Sequence, residues 1–458
     1  MKRNCLLVFI FTFASLANAK DLVTDEYRRN SLCQFFIKET KSNIEGIEQS
    51  LEKTFSEYKI PDKFNDHCMN YRTVSISDLS YTSKDAKYIG KRSRKSFGKA
   101  LGSVLTGTGQ MLAGNYNYQQ EVFYTEKVPS MLYRYCLDNK IANKLIAKWF
   151  NASNEKVDGS FYNMSLIQER GAYNATELDK LFSQEFVRGK ALLQDAGEEL
   201  IPNTYVTFTM FSFESISKIS EEAKKSDSKI KDGENPIAYF SKAIKEMRAM
   251  GTNVLGMSGF QVIAYTYLFK LKWTEEDMEN FYNNYYNEYV GKLLYSNDFT
   301  IEYVGYHRNK GWFMTKTKDY SFNPNSDIPM VQQTAYRSME KSFAELMKKY
   351  EDFRVKASII DVEDECVTSF IGLKEGVNAK SQFEVLVKEY IPEKNKYRYK
   401  SVGKIKVDKK RIWNNLYSIE GVSSEIEEDN DANEEVDRTY LKGNTKNLAP
   451  GMLIRQIK

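Results

Sequence analysis

With 458 residues, 41% of them hydrophobic and 28% charged, the chain has the composition of a globular protein with room for about three domains. Lys and Arg number 66 against 62 Asp and Glu, a net charge of +4, which is too balanced to steer a polyanion and disfavours a nucleic-acid role. Only eight prolines occur, against long disordered linkers, while 31 Tyr and 27 Phe suit half-exposed sheets that bury a ring and wet a hydroxyl.

The first nineteen residues read as an export leader. Lys2 and Arg3 form a cationic start, Cys5 to Leu16 is almost wholly apolar, and Ala17-Asn18-Ala19 offers a signal-peptidase site with cleavage after Ala19. The apolar run is shorter than the roughly twenty residues a spanning helix needs. Lys20 rather than Cys follows, against a bacterial lipid anchor. The mature chain is therefore expected in the periplasm or at the outer membrane.

Residues 20 to 135 read as an N-terminal α/β module. Ser31 to Lys38 is strand-like, and Ile44, Ile47, Leu51, Phe55 and Tyr58 recur at helical spacing. A basic stretch through Lys91, Arg92 and Arg94 then enters a Gly-rich amphipathic segment. Phe97, Leu101, Leu105 and Met111 share one face and Lys99 lies opposite, with Lys95 at the cationic entry. Such a helix either lies on a membrane surface, a peripheral contact, or covers its own domain, the commoner use of an amphipathic helix. It is not a phosphate loop, because no Gly-Lys-Ser/Thr closes the glycine pattern.

Residues 136 to 350 form the central domain, an α/β sandwich in this reading. A helix runs from Asp138 to Phe150, a strand from Phe161 to Gln168, and a helix is capped by Asn174 with Glu177 completing a capping box. Val206, Phe208 and Met210 alternate as a strand after Pro202. Strands near Phe260–Trp273 and Thr300–Tyr306 follow, and Met339, Phe343, Leu346, Met347 and Tyr350 mark a final helix. Glu221 to Asn235 reads as a charged loop, with a helix from Pro236 to Met250 after it.

From residue 351 to the end, short alternating segments suggest a small β-barrel. Phe383, Val385 and Val387 form one such set, and Ile405 and Val407 another, with Pro450-Gly451 as a type II turn before the last strand. The insertion 424–437 is acidic, but Glu434 and Tyr440 occupy positions where a calcium loop needs Gly and Glu, so it reads as a solvated charge run. The fold class is α+β.

The order of elements in the central domain, with Glu169-Arg170 and Tyr205-Val206 at matching places, resembles the curli-export-type (TolB-N-like) α/β domain. In that family a strand ends in Glu-Arg before a helix and a further strand. Residues 353–458 resemble the SH3-like barrel that follows a related domain in periplasmic proteins of the flagellar basal body. Trp149-Phe150-Asn151, Glu169-Arg170-Gly171 and Asp195-Ala196-Gly197-Glu198-Glu199-Leu200-Ile201 are similar to an uncharacterised secreted protein family of Bacteroidota. These resemblances imply an envelope component that assembles with other envelope proteins or as a homo-oligomer, and they imply no activity.

Candidate chemistry is sparse. Only two histidines occur. His67 with Asp62 and Asp66 lacks a third ligand at a recognised spacing, and reads as a loop histidine bonded to a carboxylate. His307 sits just past a strand. Ser258 falls short of a nucleophile elbow because Phe260 stands where Gly is needed. Asp195, Glu198 and Glu199 could serve acid/base work, or be solvated at a helix end. No catalytic, cofactor or metal site is assigned. Tyr282, Tyr285, Tyr286 and Tyr289 fall on one helical stripe; exposed, they and Trp312 would stack on the sugar rings of a glycan or peptidoglycan, and buried they are core. Four cysteines remain after processing: Cys33, Cys68, Cys136 and Cys366. Cys33 and Cys68, in one small module, are the pair to test for a disulfide, against four free buried thiols. The function expected is that of a non-catalytic assembly or scaffold protein of the envelope, with glycan binding as the alternative.

Overall fold

The computed structural model describes residues 29–38, 41–100, 123–157, 159–174, 189–218, 258–315, 320–391, 396–420, 422 and 435–457. The leader, Leu101, Leu105 and Met111, the side chains of Lys95, Phe97 and Lys99, Glu177, the segment 221–250 and most of the acidic insertion lie outside the described residues. The fold is α+β.

In chain order the first body contains β1 (Asn30–Ile37), β2 (Lys41–Ser42), α1 (Ile47–Glu57), β3 (Phe64–Asp66), β4 (Thr73–Val74), α2 (Ser83–Ala100), α3 (Val128–Asp138), α4 (Ile141–Trp149), α5 (Ser165–Asn174) and α6 (Gly189–Glu198). It continues with β5 (Thr204–Ser215), β6 (Ser258–Leu271), α7 (Glu275–Asn284), α8 (Val290–Leu294), β7 (Ile301–Thr315) and α9 (Ile328–Lys349). The sheet path is β3-β1-β5-β6-β7, with β4 on β1 and β2 on β5. β1 pairs parallel to β3, β4 and β5, whereas β5-β6-β7 is an antiparallel meander.

The expected boundary near residue 135 is therefore corrected. β1 lies inside the sheet, with Leu32 opposite Tyr205 and Phe35 opposite Phe208, so the described residues before 135 and the central segment share one sheet and one pair of cores. Alternation along β1 sends Cys33, Phe35 and Ile37 to the face covered by α3, α4, α7 and α8, and Leu32 and Phe36 to the face covered by α1 and α9. Because helices cover both faces, Thr204–Phe213 is buried throughout. The half-exposed sheet suggested by the tyrosine content is seen in β7, which alternates buried and part-exposed residues, and not in β5. The polar residues this burial encloses satisfy one another: Thr207 Oγ1 donates to Gln34 Oε1 at 2.5 Å, and Gln34 Nε2 donates to Thr209 Oγ1 at 3.1 Å.

A second correction concerns Phe161–Gln168, which is not a strand. The amide oxygen of Asn163 accepts the Ser165 N–H at 3.1 Å, and α5 begins there. Ile167, Arg170, Gly171 and Asn174, its buried residues, recur at helical spacing. Asn174 is the last residue of this helix, and the expected capped helix after it lies outside the described residues. Asn174 Nδ2 donates to Ala196 O at 3.0 Å and Glu199 Oε2 at 3.2 Å. α5 and α6 cross glycine to glycine: a Cβ on Gly171 would lie 1.8 Å from Leu193 O, and one on Gly197 2.0 Å from Ile167 O. The Glu-Arg-Gly and Asp-Ala-Gly motifs thus serve a helix crossing too close for any side chain.

The C-terminal body contains β8 (Ala357–Ser358), β9 (Cys366–Ser369), β10 (Gln382–Ile391), β11 (Lys396–Val407), β12 (Thr439–Gly443) and β13 (Leu453–Gln456), in the order β8-β13-β10-β11-β12-β9. Ile360 N–H to Thr368 O and Thr368 N–H to Asp361 O bring the chain after β8 onto β9, so the six strands form a nearly closed barrel. Phe383, Val385, Ile405 and Leu441 fill it. Gly451 takes φ +86° before β13, the conformation a Pro-Gly turn demands.

α9 joins the two bodies. One side packs on the sheet through Val331, Met339, Phe343 and Leu346. The other side holds the barrel's 415–422 segment: Gln333 accepts from Ile419 N at 2.6 Å and donates to Val422 O at 3.1 Å, Arg337 Nε donates to Tyr417 O at 2.7 Å, and Glu340 accepts from Tyr417 N at 3.0 Å.

Candidate functional site

The expected tyrosine stripe does not form. α7 starts on a capping box, in which Thr274 Oγ1 accepts from Asp277 N and Asp277 accepts from Thr274 N, and ends at Asn284, so the helical phase is lost before the last residues of the stripe. Tyr285 is buried and donates to Asp298 at 2.6 Å, Tyr282 donates to Glu198 at 2.9 Å, and Tyr286 packs on Phe150 and Tyr162. Tyr289 alone stands out, 60% exposed. Trp312 is half-buried on β7, opposite Gln261. These residues are not brought together into a sugar-stacking platform.

Glu198 and Glu199 are tied into the α6 region, Glu198 accepting from Gln194 and Tyr282 and Glu199 from Asn174, while Asp195 is exposed. Ser258 opens β6, so a strand follows it where a nucleophile elbow would have a helix. His307 lies within β7, not past a strand end, and burial lowers its pKa. All four described cysteines are buried free thiols.

His67 departs furthest from the loop histidine expected. It is fully buried, and its partner is Arg170, not a carboxylate. Arg170 Nη1 donates to His67 Nδ1 at 2.6 Å and to Ser31 Oγ at 3.2 Å, while Nη2 donates to Asp66 O at 2.8 Å. Because Nδ1 accepts, Nε2 carries the proton and donates to Leu145 O at 2.9 Å. The guanidinium lies 4.5 Å from the centre of the Trp149 ring, whose Nε1 donates to Thr204 Oγ1 at 2.8 Å. Burial, then the Arg170 charge, push His67 well below the ordinary imidazole value, and burial lowers Arg170 to about 10. A neutral imidazole beside a charged guanidinium joins β1, the segment after β3, α4 and α5. Asp62 and Asp66 are exposed, and the Asp66 carboxylate accepts from Cys68 N at 2.8 Å instead of from His67. Among the described residues no three His, Cys, Asp or Glu side chains stand close enough to hold a metal ion.

A roomy cavity lies elsewhere, in a groove that periodicity does not reveal. It encloses about 1130 Å³ between α1 and the segment Asn70–Thr73, with Lys38 and Lys59 also on its lining. α1 contributes Glu48, Glu52, Phe55, Ser56 and Glu57. Position follows from register. β3 leaves β1 after Asp66, the chain crosses Asn70–Arg72, and β4 rejoins β1 with Thr73 opposite Phe36. The groove therefore sits beyond the carboxyl end of parallel strands, where open α/β sheets commonly receive ligands. Arg72 is held in its wall by Tyr58 O at 2.7 Å and Asp66 Oδ2 at 3.4 Å. Tyr71 tilts onto Phe35 at 5.8 Å and accepts from Lys144 Nζ at 3.1 Å. Carboxylates, cations and aromatic rings thus alternate around one open channel. The signal available in sequence was the run Asn70-Tyr71-Arg72 beside an acidic helix.

A second cluster joins the two bodies. Glu340 on α9 and Glu375 are both raised above the usual carboxyl range by burial. Lys374 Nζ lies 3.5 Å from Glu340, and Glu375 accepts from Gly372 N at 2.7 Å and Asn415 Nδ2 at 2.9 Å. The cavity beside them, about 10 Å³, holds at most a single water, so this cluster fastens the barrel and receives no ligand. Among the described residues no helix is long and apolar enough to cross a membrane.

Compared with known proteins, the chain matches no family model and no curated sequence.

Proposed function

We propose that this is a non-catalytic protein of the cell envelope that works by holding a protein partner, and that the groove along α1 is the partner's seat. The observation that carries the reading is the groove itself: about 1130 Å³ in volume, open, and lined by Glu48, Glu52, Lys38, Arg72, Tyr58 and Tyr71. A wall of both charge signs around aromatic rings suits a polypeptide segment with its own charged side chains, since complementary pairs set register and partner choice. Tyr and Arg are also the residues that most often anchor such contacts. The fixed joint between α9 and the barrel supports a scaffold, because it sets the spacing of the two bodies.

Export places the chain in the periplasm or at the outer membrane; the leader at residues 1–19 supports this, and we read the nearly closed six-stranded sheet as an SH3-like partner module. The test is affinity purification of the mature chain from intact envelopes, with light scattering on the purified material. A defined envelope protein in fixed ratio, or a homo-oligomer, that is lost in Glu52→Lys is the expected result. A strict monomer that retains no envelope protein, or a complex indifferent to Glu52→Lys, would overturn the reading. The glycan alternative keeps only Tyr289 and Trp312, and retention on insoluble cell wall is expected to be negligible.

A further inference from the structure

The outer edge of β1 carries an unusual link. His67 N–H donates to Leu32 O at 2.9 Å, Phe36 N–H to Arg72 O at 2.7 Å and Lys38 N–H to Val74 O at 2.9 Å. These are the ladder bonds supplied by the chain through β3 and β4. Between them the backbone swings away, and the Gln34 N–H is met by a side chain, the Sγ of Cys68, at 3.3 Å. The same sulfur lies 4.0 Å from Leu32 O. Cys68 Sγ is thereby held by the backbone on both sides of Cys33, at Leu32 O and Gln34 N.

We propose that Cys33 and Cys68 are a built disulfide site, in which Cys68 attacks an incoming disulfide and Cys33 resolves it. The roles follow from position. Cys33 is 1% exposed within the core of the sheet, whereas Cys68 is 7% exposed on the segment leading to the groove, so an oxidant meets Cys68 first. The hydrogen bond from Cys33 lowers Cys68, helped by the Gln34 N–H and by Arg72, while burial raises Cys33; the outer sulfur is the better thiolate and the inner one keeps its proton.

The exchange balances with a disulfide RSSR as oxidant. Cys68 thiolate attacks one sulfur of RSSR, forming Cys68–SR and expelling RS⁻. Cys33 then loses its proton to that thiolate and attacks Cys68 Sγ. The Cys33–Cys68 bond forms, the Cys68–SR bond breaks and the second RS⁻ leaves to take a proton from solvent. Two protein thiols are oxidised and one RSSR is reduced to two RSH. The bond converts a thiol contact in the ladder into a covalent one and pins the start of the groove wall to β1. The pairing does not rest on what the groove binds.

The test uses the purified mature chain equilibrated with oxidised glutathione or with dithiothreitol, denatured in alkylating reagent and mapped by mass spectrometry. Oxidation is expected to remove Cys33 and Cys68 together from the alkylated set, leaving Cys136 and Cys366, and to yield a 33–68 linked peptide with a higher unfolding midpoint than the reduced chain. In Cys33→Ala the expected product is a glutathione adduct held on Cys68, and Cys136→Ala is expected to behave as wild type. Full alkylation of both residues after oxidation of the wild-type chain would overturn the proposal. So would a wild-type adduct that stops at Cys68–glutathione, or a link to Cys136 or Cys366. The wild-type map alone decides the matter if a variant fails to fold.

Discussion

His67 is expected to make the protein lose stability as pH falls through the histidine range. Protonating Nδ1 would set a second N–H against Arg170 Nη1 at 2.6 Å, inside the core and with Nε2 already committed to Leu145 O. The folded-state pKa is therefore far below the unfolded value of about 6.5. Above pH 6.5 neither state binds this proton, and the contribution is fully present. As pH falls the unfolded chain takes up a proton that the folded one refuses, so stability drops by about 1.4 kcal/mol per pH unit until the folded pKa is reached. Between pH 7 and pH 5 the loss from this one residue is about 2 kcal/mol. Urea unfolding of wild type and His67→Gln at pH 7, 6 and 5 isolates it, because His307, Glu340 and Glu375 titrate in both chains and cancel in the difference. Wild type should fall relative to the variant by that amount. Parallel pH profiles, or an NMR titration placing His67 near 6.5 in the folded chain, would refute the reasoning.

Glu340 should act with the opposite sign. Burial raises its folded-state pKa, so its stabilising share is complete below the unfolded carboxyl value and is lost as pH rises through the folded value. Wild type is expected to gain on Glu340→Gln when acidified from pH 7 to pH 4, in denaturant midpoints; a constant difference would count against a buried, raised carboxyl. Gly171→Ala places a methyl 1.8 Å from Leu193 O and should cost about 3 kcal/mol by forcing α5 from α6, seen as a lower melting temperature; an unchanged melt would mean the crossing is looser than described. Arg337→Ala removes the 2.7 Å bond to Tyr417 O and should speed proteolytic cleavage around residues 415–422 several-fold without unfolding the sheet. Equal cleavage rates would show that the segment is held elsewhere.

Local periodicity carried much of the fold. Ile47, Leu51 and Phe55 at helical spacing became the buried face of α1, and Phe383 with Val385 and Ile405 with Val407 became barrel core. α5 does not read as a helix in sequence because its buried stripe consists of one isoleucine, an arginine, a glycine and an asparagine, of which only the isoleucine is an apolar side chain. The boundary near residue 135 failed for another reason. Pairing β1 with β5 joins residues more than 170 positions apart, such as Leu32 and Tyr205, and no local signal reports such a partner. The candidate site was hidden in the same way. Its walls come from Lys38, α1 and Asn70–Thr73, and only the crossing from β3 to β4 sets them around one channel. The helical spacing that groups Tyr285 and Tyr286 with Tyr282 ends at Asn284, where the helix stops.

Photo-crosslinking from the groove in intact envelopes is the most direct probe of the partner-holding role. A photoreactive residue replacing Tyr71, on the groove wall, is expected to give one discrete protein adduct that Glu52→Lys abolishes. The same residue replacing Tyr295, which is 82% exposed away from the groove lining, should give none. The same adducts from both positions, or none from either, would contradict a partner seated along α1.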